Sequence, residues 1–395
     1  MERLRLNPVI VFSSLGHMYV HLCTAFYFVI VLALESSWSL PYHELIGLWT
    51  LGSLMVGVAA LPAGMLSDKI GASNMMVLFF VGMGISAIGA GFTDTPLALA
   101  FCLTGLGVFA AIYHPVGIPW LVRRSVKAPG KALGLNGVFG SFGTAGAGLT
   151  AGLLIDTFNW RWAFIVPGTV SLLTGIVLLG LLGSDRLKDA WVEQKREETE
   201  SKRDMVRAFG ILLVTMFLAG LVYHVVQTSL PKVFAERHNG LLGEGAAGVG
   251  VLVAIVYATA GVMQYVGGYL ADRFPIKVVY LATILIQVPA LWLAASFAGL
   301  PLVFVAMFIV MSGATQLPAE NMLLARFTPK NRHGTAFGLK FVLSFGAAPL
   351  AVQFVAAVNA RTQGFFLVFA IAAGLGAISF AAATFLPNSK AVQAR

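Results

Sequence analysis

Twelve long apolar stretches fill almost the whole chain, and the second six repeat the first six at an offset of 204 residues. Gly64 and Asp68 recur as Gly268 and Asp272, Gly134-Leu135 as Gly338-Leu339, and Gly16 and Tyr19 as Gly220 and Tyr223. A helix needs about 20 apolar residues to cross the hydrocarbon core of a bilayer. A doubled six-span unit is the layout of a machine with two halves and a site between them. The expected fold class is therefore all-α and integral to the membrane, with twelve transmembrane helices in two six-helix pseudo-repeats.

Composition closes off the alternatives. Only 11% of the residues are charged, against about 25% in a soluble domain, and mean hydropathy is +0.85. The spans are expected at roughly 8–34, 44–66, 72–92, 97–122, 131–154, 161–183, 207–231, 244–271, 277–297, 301–326, 332–357 and 364–386. Lys and Arg number 21 in the loops on the side of the N-terminus and 4 in the opposite loops. By the bias of basic residues toward the cytoplasmic side, both termini are expected in the cytoplasm, in a bacterial inner membrane. The net charge of +9 then reports topology rather than nucleic-acid binding, for which there is no soluble domain. The start Met1-Glu2-Arg3-Leu4-Arg5 leads into a span too long for a cleavable signal. Cys23 and Cys102 both lie inside spans and imply neither a disulfide nor a zinc motif.

The one clear shift in composition is a charged stretch at 184–207, read as a solvated cytoplasmic linker with helical i,i+4 pairs such as Glu198 with Lys202. It divides the chain into bundles at 1–183 and 208–395. Six spans is an even number, so the halves share one orientation and are related by an axis along the membrane normal. The span at 131–154 carries Gly134, Gly137, Gly140, Gly143, Gly146, Gly148 and Gly152. Glycines at this spacing make a smooth face for a close neighbour. Pro115, Pro289, Pro318 and Pro349 are expected to bend their helices, and Pro318 aligns across the repeat with His114 rather than Pro115.

Two motifs point to a family. Gly64-Met65-Leu66-Ser67-Asp68-Lys69-Ile70-Gly71 follows span two, and Gly268-Tyr269-Leu270-Ala271-Asp272 follows span eight. Asn159-Trp160-Arg161-Trp162-Ala163-Phe164 opens span six. Here the whole chain resembles the major facilitator superfamily. The resemblance implies that Gly64, Asp68, Gly71, Gly268 and Asp272 form a latch between helix ends, and that spans one, four, seven and ten line a central cavity. Ala72-Ser73 stands where the family's basic pair would be, which implies a weaker latch. A narrower resemblance rests on Ser14-Leu15-Gly16-His17-Met18-Tyr19-Val20-His21 and Ala111-Ile112-Tyr113-His114-Pro115-Val116-Gly117. These look like the branch that includes fosmidomycin-resistance efflux proteins. The chain departs from that branch at Val116, where a Glu is common. It also lacks the span-four Arg and the span-five Gly-Pro of antiporters, so antiport is not carried over with the likeness.

Ionisable side chains inside a membrane are expensive and are functional candidates by default. His17 and His21 lie four apart on one helix face. His114, His224 and Glu320 fall on the other spans expected to line the cavity, and Lys340 is the one base inside a span. Imidazole changes charge near neutral pH, so the set is read as solute-binding and proton-carrying. Glu320 and Lys340 are read either as a neutralising ion pair or as a coupling switch. Tyr19, Tyr113, Asn136, Tyr223, Gln227, Tyr257 and Gln264 are candidate cavity-lining residues, and Asn136 occupies the place of Lys340 in the first half.

The expected function is a monomeric secondary transporter of a small organic, anionic or amphiphilic solute. Proton coupling and efflux are expected, with protons, the solute and the lipid bilayer as partners. No enzymatic activity, cofactor or resident metal is expected. Two alternatives stay open. One is a transition-metal transporter using the intramembrane histidines, which have ligand-like i,i+4 spacing. The other is a non-transporting sensor or assembly protein.

Overall fold

The computed structural model describes residues 7–124, 129–182, 201–238, 240–243, 245–329 and 333–387. All secondary structure among them is helical. Eleven helices are long and apolar enough to cross a bilayer. They are span 1 (Pro8–Trp38), span 3 (Ala72–Gly91), span 4 (Pro96–Arg123), span 5 (Ala132–Thr157), span 6 (Trp162–Leu181), span 7 (Lys202–Arg237), span 8 (Ala246–Arg273), span 9 (Ile276–Ala294), span 10 (Gly299–Arg326), span 11 (Ala336–Thr362) and span 12 (Phe366–Thr384). A pair of segments bent by 46°, Tyr42–Val58 and Ala60–Ile70, supplies span 2. The molecule is thus an all-α, multi-pass membrane protein. Lipid offers no hydrogen bonds, so a helix, which satisfies its own backbone, is the economical way across.

Local sequence starts these helices. Asn7 accepts from the Val9 amide at 3.0 Å with Pro8 at the first helical position. Thr95 does the same for the Ala98 amide at 3.3 Å, ahead of Pro96. An oxygen side chain before Pro meets the orphan donors of the first turn. Ser201 caps span 7 by accepting from the Asp204 amide at 3.2 Å. The helix therefore begins at Lys202, and the last residues of the stretch read as linker form its first turns. Residues 184–200 of that stretch, with Glu198, lie outside the described residues. Arg161 ties the mouth of span 6 to the preceding hairpin, donating to the carbonyls of Gly91 (3.1 Å) and Thr93 (2.7 Å) and pairing with Asp94 at 2.6 Å.

The sequence repeat is also a packing repeat. Span 1 packs on span 5 as span 7 packs on span 11; span 2 meets span 4 as 8 meets 10; span 3 meets span 6 as 9 meets 12. The halves meet through spans 5 and 8, 2 and 11, and the outer segment of span 1 with span 7. Among the described residues, one face carries basic side chains that include Lys69, Arg273 and Arg326, and the opposite face carries Arg161, Lys232, Arg237 and Arg361.

The inter-half bonds gather toward that opposite face. Lys232 donates to both oxygens of Glu35 at 2.8 and 2.7 Å. Tyr42 donates to the Thr228 carbonyl at 2.9 Å. Asp156, at the end of span 5, accepts from the amides of Ala246 (3.1 Å) and Ala247 (2.8 Å), which begin span 8. A carboxylate is favoured there because the first amides of a helix are unpaired and carry its positive end. The glycine-rich face of span 5 makes the closest approach. A methyl group on Gly250 would collide with the Gly148 carbonyl, and one on Gly152 with Ala246. Toward the basic face, Gly134, Gly268 and Gly338 have no neighbour among the described residues within 4 Å of where a side chain would begin. Among the described residues, the halves are bonded together at one mouth and parted at these glycines of the other.

This closure generates a prediction. In a variant with Cys23 and Cys102 replaced by Ala, a single cysteine from Val253→Cys, at the seam beside Gly148, should react slowly with a membrane-impermeant maleimide. Adding Asp156→Ala and Lys232→Ala should raise that rate at least about tenfold, the equivalent of 1.4 kcal/mol of lost closure. An unchanged rate would show that these bonds do not hold the mouth shut.

Candidate functional site

The i,i+4 spacing on span 1 brings His17 and His21 together, with Nε2 atoms 3.2 Å apart. His17 Nδ1 lies 2.7 Å from the Asn136 carbonyl. A carbonyl only accepts, so Nδ1 carries the proton and Nε2 carries the lone pair, which places the shared proton on His21. His114 joins them edge-on, its ring 5.7 Å from His17 and 5.6 Å from His21. It is presented by a π-helical turn, Tyr113–Gly117, that holds Pro115 in place of a normal α turn. Proline lacks the amide an α turn needs, and such turns often mark functional positions.

A neutral network locks this arrangement. Tyr113 stacks on His17 at 5.1 Å. Asn136 donates to Tyr113 Oη at 2.8 Å and to Ser13 Oγ at 3.3 Å, and Ser13 donates to the Gly117 carbonyl at 3.0 Å. Spans 1, 4 and 5 are thereby tied together around buried polar atoms. Phe345 and Phe341 of span 11 cover His114 from the other half, with ring centres at 4.7 and 5.6 Å.

The second half is organised by charge. Lys340 Nζ lies 2.7 Å from Glu320 Oε1, and both side chains are 5% exposed. Lys340 also donates to Asn321, and Tyr280 donates to Glu320 Oε2 at 3.3 Å. The pair bridges spans 10 and 11, with span 9 supplying the phenol. Asn136 and Lys340, equivalent across the repeat, each bond to the neighbouring fourth span of their half. Val116 is the counterpart of Glu320, so the first half has no acid at this place.

The other candidates divide. His224 contacts the Ser344 carbonyl at 3.1 Å, linking spans 7 and 11. Gln227 donates to Tyr223 at 3.1 Å. Gln227 and Tyr257, with Thr144 and Val253, line a small cavity between the halves. Gln264 meets span 5 at Gly137. Tyr19 does not reach the interface. Its hydroxyl lies 3.4 Å from Thr174 Oγ1 and its ring packs edge-on to Phe80, so it is a packing residue within the first half. Its repeat partner Tyr223 is 41% exposed. Asp68 and Asp272 are exposed and form no ion pair among the described residues. Gly64 approaches Pro115, Gly268 has no close neighbour, and Gly71 adopts φ +88°, the left-handed conformation that turns span 2 into span 3.

Sequence reasoning passed over Ser13, Tyr280, Asn321, Phe341 and Phe345. Ser13 continues the His17–His21 stripe one turn earlier, and Asn321 directly follows Glu320; both were findable by spacing. Tyr280 and the two phenylalanines carry no such signal.

Comparison with known proteins agrees with this architecture. The inward-open xylose transporter XylE of E. coli superposes with TM-score 0.77 at 14% identity, covering 98% of this chain and 97% of that one. A bacterial homologue of the human lysosomal transporter Spinster, inward-facing and unoccupied, superposes with TM-score 0.72 at 15% identity over 98% and 95%. In sequence, the puromycin resistance protein of Streptomyces alboniger is 26% identical over 54% of this chain, a match spanning about half (48%) of that relative's length. An MFS-type transporter of Methanocaldococcus jannaschii is 22% identical over 71% of this chain and 73% of its own. The family profile for the Major Facilitator Superfamily matches residues 13–247 and 240–395. The chain belongs to the Major Facilitator Superfamily, whose members are transporters of small molecules rather than enzymes.

Proposed function

We propose that the protein exports a small organic amphiphile in exchange for protons, with both termini in the cytoplasm of a bacterial inner membrane. Alternating access follows from rocking of the two halves about the site between them. The observation that carries the coupling is the Lys340–Glu320 pair, 5% exposed on both sides and set in the half that has no imidazole cluster.

A buried pair of this kind responds differently to the two forms of its acid. With Glu320 ionised, each charge neutralises the other. With Glu320 protonated, the ammonium of Lys340 is left unmatched, which is unfavourable in a medium of low dielectric. The charge of the solute then sets the sense of coupling. A cationic group competes with the proton for Glu320 and so moves against it. An anionic group replaces Glu320 beside Lys340 and so moves with it. Relatives named for puromycin resistance, methyl viologen resistance and tetracenomycin C resistance and export support export as the direction. Lys340 itself favours the anion-with-proton reading as the second possibility. In both, the His17, His21 and His114 group and the residues Asn136, Gln227, Tyr257 and Gln264 offer the polar contacts of a mostly apolar pocket. Asp68 and Asp272, with Gly64, Gly71 and Gly268, would latch the basic mouth when it closes.

The decisive measurement is flux in proteoliposomes with an imposed pH gradient, using amphiphiles selected by thermal shift. Glu320→Gln should retain solute exchange at equal pH but lose pH-driven accumulation. Normal accumulation by that variant would overturn the assignment. Asp68→Asn should lower maximal turnover about tenfold while changing KM by less than about twofold, since it acts on closure rather than on binding. Thermal unfolding in detergent provides a third check. Breaking the pair with Lys340→Met or Glu320→Gln alone should destabilise by about 3–5 kcal/mol. The double variant should unfold at a higher temperature than either single one.

A further inference from the structure

We propose that His17, His21 and His114 form a three-imidazole binding site for one transition-metal ion of the Co²⁺, Ni²⁺ or Zn²⁺ class. One donor nitrogen from each ring lies within 4.8 Å of the other two. In a tetrahedral site with metal–nitrogen bonds of about 2.0–2.1 Å, donor nitrogens are about 3.4 Å apart. His17 and His21 already stand at 3.2 Å, so a rotamer adjustment of His114 suffices to complete the set.

Three observations favour a metal over a purely hydrogen-bonded cluster. First, His17 is oriented as a ligand. Its Nδ1–H is held by the Asn136 carbonyl at 2.7 Å, which fixes the tautomer that leaves Nε2 free to coordinate. Metal-bound histidines are typically anchored in this way. Second, His114 is only 7% exposed and its ring meets those of His17 and His21 edge-on at 5.7 and 5.6 Å, so three imidazoles from two spans converge in an interior that a bare polar cluster would not favour. Third, no carboxylate or thiolate joins the group among the described residues. An all-imidazole set suits the later first-row ions and disfavours Mg²⁺ and Ca²⁺, which take oxygen ligands.

Binding replaces the His21-to-His17 hydrogen bond with bonds to the ion. His21 moves its ring proton from Nε2 to Nδ1, so all three rings coordinate as neutral imidazoles and no proton need be released. Three protein ligands leave a further position for water or a donor atom of a solute. The site does not depend on the Glu320 coupling scheme. That scheme is read by pH-driven flux, and this one by metal binding alone.

The test uses the full chain purified without a histidine tag. Zn²⁺ should bind at one ion per chain by calorimetry and raise the unfolding temperature, as a ligand of the folded state must. Co²⁺ should bind in its place and show visible ligand-field absorption. His17→Gln, His21→Gln and His114→Gln should each weaken Zn²⁺ binding by more than about tenfold, and His43→Gln, remote from the trio, should leave it unchanged. A wild-type chain that takes up no Zn²⁺, or stoichiometric binding that survives in the triple variant, would overturn the proposal. Should a histidine variant fail to fold, the wild-type Co²⁺ spectrum decides: absence of ligand-field bands at saturating Co²⁺ counts against the site.

Discussion

Lys340 lies where water scarcely reaches, and its charge is tolerable there only because Glu320 is 2.7 Å away. An unpartnered ion in an apolar surround costs several kcal/mol even after relaxation. That constraint arranges the second half: spans 10 and 11 must be adjacent at this depth, and the Tyr280 phenol draws span 9 to the same point. The first half solves the same problem without charge. Asn136, Ser13, Tyr113 and the Gly117 carbonyl satisfy one another in a closed neutral network. Two bundles with one ancestral plan thus carry different chemistry at matching positions.

The contrast also separates tasks along the membrane normal. Near one face, Glu35, Asp156 and Lys232 join the halves through groups at helix ends, where charge is less costly than at mid-membrane. In the middle, the imidazoles of the first half are covered by phenylalanines of span 11, and the ion pair lies within the second half among spans 9, 10 and 11. Toward the basic face, the glycines that would allow close packing stand without neighbours. The surfaces that let spans 5 and 8 touch at one end are of the same small-residue type as those parted at the other, so movement between two closures requires no new contact chemistry.

Much of this was legible in the sequence. Twelve apolar runs, a fixed repeat interval and six ionisable side chains inside spans are properties of composition and spacing, which the membrane enforces residue by residue. What the sequence did not disclose is rotation about each helix axis. A span that is apolar all round carries no stripe to say which side faces its neighbours. Tyr19 therefore stood among the cavity-lining candidates although it packs against Phe80 and Thr174, while Tyr280, in an apolar run, gave no sign of meeting Glu320. Conversely, His17 and His21 were placed together correctly because i,i+4 spacing is a local fact that needs no tertiary knowledge.

The π-helical turn at Tyr113–Gly117 has a consequence for how the two halves correspond. A turn closed by i→i+5 bonds holds one residue more than an α turn. Span 10 passes through Pro318 as uninterrupted α-helix. The prolines are accordingly spaced 203 residues apart, whereas the glycine pairs before and after them, Gly64 with Gly268 and Gly134 with Gly338, keep 204. The single surplus residue must be absorbed between Gly117 and Gly134. The π turn thus marks where the two halves fall one residue out of step, and His114 lies within it, edge-on to the span-1 histidines.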